Sequence, residues 1–445
     1  MVTRSATCST RVCEALAERS RASLGESWRA CGYHRRLPRA PHAEEVTVPG
    51  AELPLPLEGV RVTDFTWIIA GPQATRILGD MGADVIKVEN ESYLDAVRGA
   101  DGLHNNFHRN KRSMTANLHH PQGREAVERL IAKSDVVIEN FSSGAFARMG
   151  FPYERLAELK PDIIYVSLSG YGQLGRDSDY GTWGPTAQGA SGLTAMSRLP
   201  GQPPAGWGYS YLDHTAGFYG AIAALMALWH RDRTGEGQHV DMSQVETGMM
   251  LAGVPMLDFQ VNGRPYEAIG NHAVHPAVAP HSIYRAGGDD RWIAIAAEDD
   301  VQWRALCDAL GAPALAADAR FATNAARVAA QDALDAEIEQ RTREEEPFAL
   351  AERLQARGVL AGVCQTIEDR MERDPQLAAR GFYRSAPHPA FGEHRFEGLP
   401  ITFSGARWRI DRGAPLVGEH TRDVLRDVLG YADAEIDAMQ AEAAV

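Results

Sequence analysis

An aspartate stands at position 213 in Tyr211-Leu-Asp-His-Thr-Ala-Gly217, where a glycine- and proline-rich stretch gives way to an apolar helical pattern over residues 215–229. Two kinds of chemistry suit that position. An aspartate just ahead of a helix is a favoured N-cap, its carboxylate accepting backbone N–H groups. The same carboxylate, held ionised at the positive end of a helix dipole, can attack an activated acyl carbon. Taken alone, the position reads as a cap. A second candidate cluster is His272, His275 and His281 in the Pro/Ala-rich run over residues 270–281. Their spacing fits no strong ligand motif and no clustered Cys accompanies them, so no metal is expected there.

The elements that must position Asp213 follow an α/β pattern. Short apolar runs over residues 60–64, 83–89, 135–139, 163–167 and 239–242 alternate with helical stretches over 71–81, 123–133 and 215–229. Such alternation predicts parallel βαβ units with the active edge at the strand C-termini. No G-x-G-x-x-G follows the first strand, so no nicotinamide or flavin cofactor is expected. Residues 170–211 read as a long functional loop system. A second αβ region opens at 292–297, with helices near 301–310, 332–340 and 347–356. A helix pair near 421–429 and 433–441 follows.

Length and composition bound the function. A chain of 445 residues suggests two or three domains. The net charge of -14 argues against a nucleic-acid partner, although a local basic rim could still hold a polyanionic ligand. The longest apolar run, residues 217–229, is too short for a membrane span and meets His230, Arg231 and Arg233 at once. Cys8, Cys13, Cys31, Cys307 and Cys364 form no metal-ligand pairs and no even framework. They read as reduced thiols of a cytoplasmic protein. Residues 1–55 carry eight of the arginines but also Glu14, Glu18 and Glu26, which count against a targeting peptide. That stretch reads as a disordered or mis-started extension.

Several motifs then fall in a recognisable order. Leu57-Glu-Gly-Val-Arg-Val-Thr-Asp-Phe65 is followed by Ala70-Gly-Pro72 and Leu78-Gly-Asp-Met-Gly-Ala-Asp-Val-Ile-Lys-Val-Glu89. Next come Asn110-Lys-Arg-Ser113, Asp135-Val-Val-Ile-Glu-Asn-Phe141, Arg148-Met-Gly150 and Ser167-Leu-Ser-Gly-Tyr-Gly-Gln173. Ser191-Gly-Leu193, Leu212-Asp213 and Arg233-Thr-Gly-Glu-Gly-Gln-His-Val-Asp241 complete the set. From about Leu57 onward the chain resembles the class III coenzyme-A transferases, the group that includes formyl-CoA and carnitine CoA-transferases. The resemblance implies that Asp213 is the nucleophile, passing through an aspartyl anhydride and an aspartyl-CoA thioester. Acyl-CoA and carboxylic acids would be the substrates, with no permanently bound cofactor. Asn140, Phe141, Arg148, Met149, Ala116, His119 and Asn90 would lie along the CoA path. The implied architecture is a Rossmann-like large domain over 56–230, a helical linker over 231–274 and a small domain over 275–385. Residues 386–445 would return to the large domain, and two chains would interlock as a homodimer.

Three departures bear on the substrate. Oxalate-using relatives carry a glutamine where this chain has Ile69, and a glycine-rich loop where it has residues 270–281. An acidic residue is usual where it has Gly184. Oxalate is therefore not the expected substrate, and Trp67, Ile68, Ile69, Trp183 and Gly184 suggest a pocket for a less polar acyl group. Two other functions compete. An α-methylacyl-CoA racemase on the same fold would place its His-Asp pair on Trp183 and Gly184, neither of which carries a proton. A non-catalytic acyl-CoA-binding protein would have no use for Asp213.

Overall fold

A computed structural model describes residues 53–98 and 101–445. The extension expected over residues 1–55 lies outside the described residues as far as residue 52. Six strands build one parallel sheet: β1 (Arg61–Asp64), β2 (Asp84–Glu89), β3 (Arg112–Thr115), β4 (Val136–Glu139), β5 (Ile164–Ser169) and β6 (Gln238–Ser243). Their order is β3-β2-β1-β4-β5-β6 and every pairing is parallel. The expected fold class is thus the observed one.

Helices cover both faces because successive strand residues alternate between them. Ile86, Val88 and Val137 point to one core, shared with Val127, Leu130 and Ile131 of α1 (Pro121–Ala132) and with Val424, Leu425 and Ile436 from the C-terminal segment. Val85, Val136, Ile138 and Val166 point to the other, against Leu78 of the helix Ala70–Asp80 and Ala216, Ala224 and Leu228 of α2 (Tyr211–Thr234). Helix Ala70–Asp80 and α2 approach closely at Gly217. A Cβ there would stand 2.3 Å from Gln73 Cγ and 2.8 Å from the Ala70 carbonyl oxygen.

Strand order reverses between β1 and β4, which opens a crevice beyond their C-terminal ends. A separate antiparallel sheet, β7 (His281–Arg285), β8 (Trp292–Ala296) and β9 (Leu360–Val363), carries its own core of Tyr284, Ile293, Ile295, Trp303, Leu306, Leu334, Ile338 and Leu350.

Boundaries differ from the sequence pattern in instructive places. Residues 170–211 are not all loop: the short helices Gly184–Ala190 and Leu193–Met196 form because Ala187 and Leu193 bury against Leu212 and Val245. The segment expected as one helix near 421–429 takes a π-helical turn over Val424–Val428.

Candidate active site

The chain leaving β1 makes a strained turn. Ile68 adopts a φ of 66°, unusual for a β-branched residue and worth ~1–3 kcal/mol of strain. Neighbouring groups hold it there. The Ile68 N–H donates to Asp95 Oδ2 at 2.9 Å, and buried Lys87 Nζ donates to the Thr66 carbonyl at 2.6 Å. Asn140, just past β4, locks the same turn from the other side. Its Oδ1 accepts the Trp67 N–H at 2.7 Å and its Nδ2 donates to the Trp67 carbonyl at 3.0 Å. The two loops flanking the crevice are therefore tied together through one side chain.

Asp213 comes from the opposite wall. It does not occupy the N-cap position that the sequence suggested: α2 begins at Tyr211, Ser210 is the cap residue, and Asp213 is the third helical residue. The helix starts early because Leu212 is fully buried among Ala187, Leu193 and Val245. Set one turn inside, the carboxylate faces inward. Its Oδ1 accepts from Gln244 Nε2 at 2.5 Å. Its Oδ2 lies over Gly184, 2.3 Å from where a Cβ would stand. Burial pushes the Asp213 carboxyl above the usual carboxylate range, and hydrogen bonds from Gln244 and Ser210 pull the other way. In the direction of that shift, removal from water outweighs the donors.

A cavity of about 410 Å³ surrounds this carboxylate. Ile68, Ile69, Asn140, Trp183 and Gly184 line it with Asp213 and Gln244. Ser142, Ser178, Tyr180 and Thr182 also line it, so the pocket is more polar than its aliphatic members suggested. Ser169, at the end of β5, is buried there with an Oγ that meets no hydrogen-bond partner.

A second cavity of about 510 Å³ adjoins the first, with Phe141 in the wall of both. Asn90, Ala116, His119, Phe141, Arg148 and Met149 line it, together with Trp67. Six of the seven residues expected on the CoA path thus share one cavity, while Asn140 lies in the Asp213 cavity with its amide committed to Trp67. Trp67, expected in the acyl pocket, lines the second cavity instead, its ring 5.2 Å from that of Tyr93 and 6.0 Å from that of Phe141. Tyr93 and Arg124 also line it, with Phe65, Val88, Glu89 and Leu118. An aromatic cluster beside two guanidinium groups can hold a heteroaromatic base next to phosphates.

The histidines at 272, 275 and 281 stand apart from Asp213. His272 Nε2 is 2.8 Å from Asp335 Oδ2, and His281 Nδ1 is 2.7 Å from the Asn271 carbonyl oxygen.

Residues 57–421 match the model of the family described as CoA-transferase family III. The chain belongs to CoA-transferase family III. It is 35% identical over 387 residues to the succinate–glutarate CoA-transferase of Agrobacterium fabrum, a match covering 84% of this chain and 96% of that protein. It is 33% identical over 398 residues to the succinyl-CoA–D-citramalate CoA-transferase of Chloroflexus aurantiacus, covering 87% and 98%. Among solved structures, a CaiB/BaiF family protein from Brucella suis superposes with a TM-score of 0.78 at 34% identity, over 85% of this chain and 100% of that one. This protein is accordingly a CoA-transferase with the α/β fold of that group.

Three residues that line these cavities, Gln244, Tyr93 and Arg124, were not found from sequence, nor was the state of Glu139, which precedes Asn140 and Phe141 in the chain. Gln244 follows β6 directly, and the C-terminal edge of a parallel sheet was a signal that could have found it. Tyr93 and Arg124 carry no local signal. Glu139, the last residue of β4, accepts the Phe141 N–H at 2.6 Å and the Tyr165 hydroxyl at 2.9 Å. Burial pushes its carboxyl up to about 7 against those two donors.

Proposed function

We propose that this CoA-transferase moves CoA from an acyl-CoA donor to a carboxylic acid through covalent intermediates on Asp213. The observation that carries this reading is the Asp213 carboxylate, oriented by Gln244 on the wall of a cavity that adjoins the aromatic and basic one. A thioester whose nucleotide end lies against Trp67, Tyr93, Arg124 and Arg148 would pass Phe141 to bring its acyl carbon to Asp213.

Attack by the carboxylate forms a mixed anhydride and frees CoA as a thiolate. Thiolate attack on the aspartyl carbon gives the aspartyl-CoA thioester and releases the donor acid. An acceptor carboxylate then reverses the sequence, and the activation of the thioester is kept throughout in covalent bonds. Each resident group has a role in this scheme. Gly184 leaves room for Oδ2, Asn140 and the Lys87–Asp95 pair hold the turn that carries Ile68 and Ile69, and Phe141 separates the two cavities. Among the described residues lining the Asp213 cavity there is no imidazole. That supports group transfer over the two-sided proton exchange of a racemase.

The named substrates of the relatives, succinyl and glutaryl units among them, make short-chain acids a reasonable first panel. We also propose that two chains pair. Phe218, Ile222, Met226 and Trp229 on α2, with Met250, Val254, Leu257 and Phe259 beyond β6, leave large apolar side chains exposed, as an interface between subunits would require.

The test is transfer activity of Asp213→Ala across a panel of acyl-CoA donors and acids, read by product mass. The expected outcome is complete loss of transfer with unchanged circular dichroism. Exchange at the wild-type rate would contradict the assignment.

A further inference from the structure

The two oxygens of Asp213 are not equivalent. Oδ1 accepts from Gln244, and Oδ2 lies over the bare Cα of Gly184. Gln244 is itself 7% exposed, and its backbone is fixed on both sides. Ser243 Oγ accepts the Glu246 N–H at 3.3 Å, and the Val245 N–H donates to the Gly170 carbonyl at 2.9 Å, anchoring the start of the helix Gln244–Leu251 to the residue after β5. An ionised carboxylate can only accept, so the amide must present its N–H to Oδ1. Gln244 and Asp213 line the same cavity.

We propose that Gln244 is a catalytic residue, the oxyanion stabiliser for every step in which the carbonyl carbon of Asp213 is attacked, with Oδ2 as the attacking oxygen. The proposal rests on Asp213 being the nucleophile. Oδ2 adds to the thioester carbon of the donor; the C–S bond breaks and CoA leaves as thiolate. The anhydride now bridges through Oδ2, and Oδ1 remains as the aspartyl carbonyl oxygen beside the Gln244 N–H. Thiolate adds to the aspartyl carbon and the carbonyl electron pair moves onto Oδ1. Collapse breaks the bond to Oδ2, and the donor acid departs as a carboxylate carrying that oxygen. When the acceptor carboxylate adds to the aspartyl thioester, charge again develops on Oδ1 before thiolate is expelled. No proton and no redox partner is needed in either step. The first and last steps load charge on the substrate carbonyl instead, where Gln244 has no part. Its removal should therefore slow the aspartyl steps most.

The experiment is a single turnover of the full chain with acyl-CoA and no acceptor, quenched in acid. Free CoA thiol counts the anhydride, and protein-bound CoA counts the aspartyl thioester. Gln244→Met keeps the side-chain shape and removes the donor; Gln244→Glu keeps the shape and adds a negative charge. In both, loss of the bond that orients Asp213 slows both steps, and on top of that shared loss bound CoA should appear about 100-fold more slowly relative to free thiol than in wild type. A thermal melt and circular dichroism check each fold. Wild-type formation of bound CoA in Gln244→Met, or an equal slowing of both steps in both variants, would overturn the role of Gln244 alone. Absence of bound CoA from the wild-type enzyme would overturn the Asp213 reading and this proposal with it.

Discussion

Gly184→Ala isolates the seat of the Asp213 carboxylate. The new methyl would stand 2.3 Å from Oδ2 and 2.9 Å from Cγ, with Ser210 Cβ at 3.2 Å on the far side. No rotation of a methyl relieves that approach, so the carboxylate must leave its seat and with it the Gln244 bond. A hydrogen bond to a charged group is worth ~1.5–3 kcal/mol. If that orientation is needed in the transition state, kcat/KM should fall by about ten- to a hundred-fold. Stability should fall as well, by about 1–2 kcal/mol, because the displaced carboxylate and the lost bond outweigh a smaller gain in helix propensity. Gly184 has an ordinary helical backbone at the start of the helix Gly184–Ala190, where alanine is favoured over glycine by up to ~1 kcal/mol. Steady-state transfer kinetics and a thermal melt on the same preparation separate the two effects. A variant with kcat/KM within twofold of wild type and an unchanged melt would refute the claim that the carboxylate acts from this seat.

Two further outcomes follow from packing and burial. Glu139 is an acid whose folded pKa is raised from 4.5 to about 7, so its proton stabilises the folded state and stability is lost as pH rises through that window. The difference amounts to about 3 kcal/mol. Glu139→Gln, which can still meet Phe141 and Tyr165, should be more stable than wild type in urea at about pH 8.5 and little changed below about pH 4.5; equal gains at both would place the cause elsewhere. Gly217→Ala should cost about 1–3 kcal/mol of stability, because its methyl meets Gln73 and the Ala70 carbonyl in a contact between helices. A melting temperature equal to wild type would show that the contact yields freely.

The sheet was legible because its strands are short, apolar and separated by helical stretches, a pattern that buried parallel strands impose. Strand ends shifted by only a residue or two: the run expected over 163–167 extends to Ser169 because β5 keeps pairing with β6 as far as Ser243. The start of α2 was less legible. Ser210 and Asp213 are both good cap residues three apart, and only the burial of Leu212 decides between them. The motif order pointed to Asp213, Phe141, Arg148 and Met149, yet not to their partners. Gln244 lies 31 residues from Asp213, and nothing local marks the meeting. Arg124 and Tyr93 reach their cavity from segments following β3 and β2, a convergence created by strand order alone. The polarity of the Asp213 cavity was misjudged for the same reason. Ser142, Ser178, Tyr180 and Thr182 lie in loops whose facing residues a pattern of aliphatic side chains does not reveal.

The central claim is that Asp213 carries the transferred group. The most direct measurement is peptide mapping after incubation of the enzyme with acyl-CoA and hydroxylamine, which converts an activated carboxyl into a stable hydroxamate. The predicted result is a single hydroxamate on Asp213, dependent on acyl-CoA. A hydroxamate on Glu139 or another carboxylate, or none in an enzyme that is actively transferring CoA, would contradict the account.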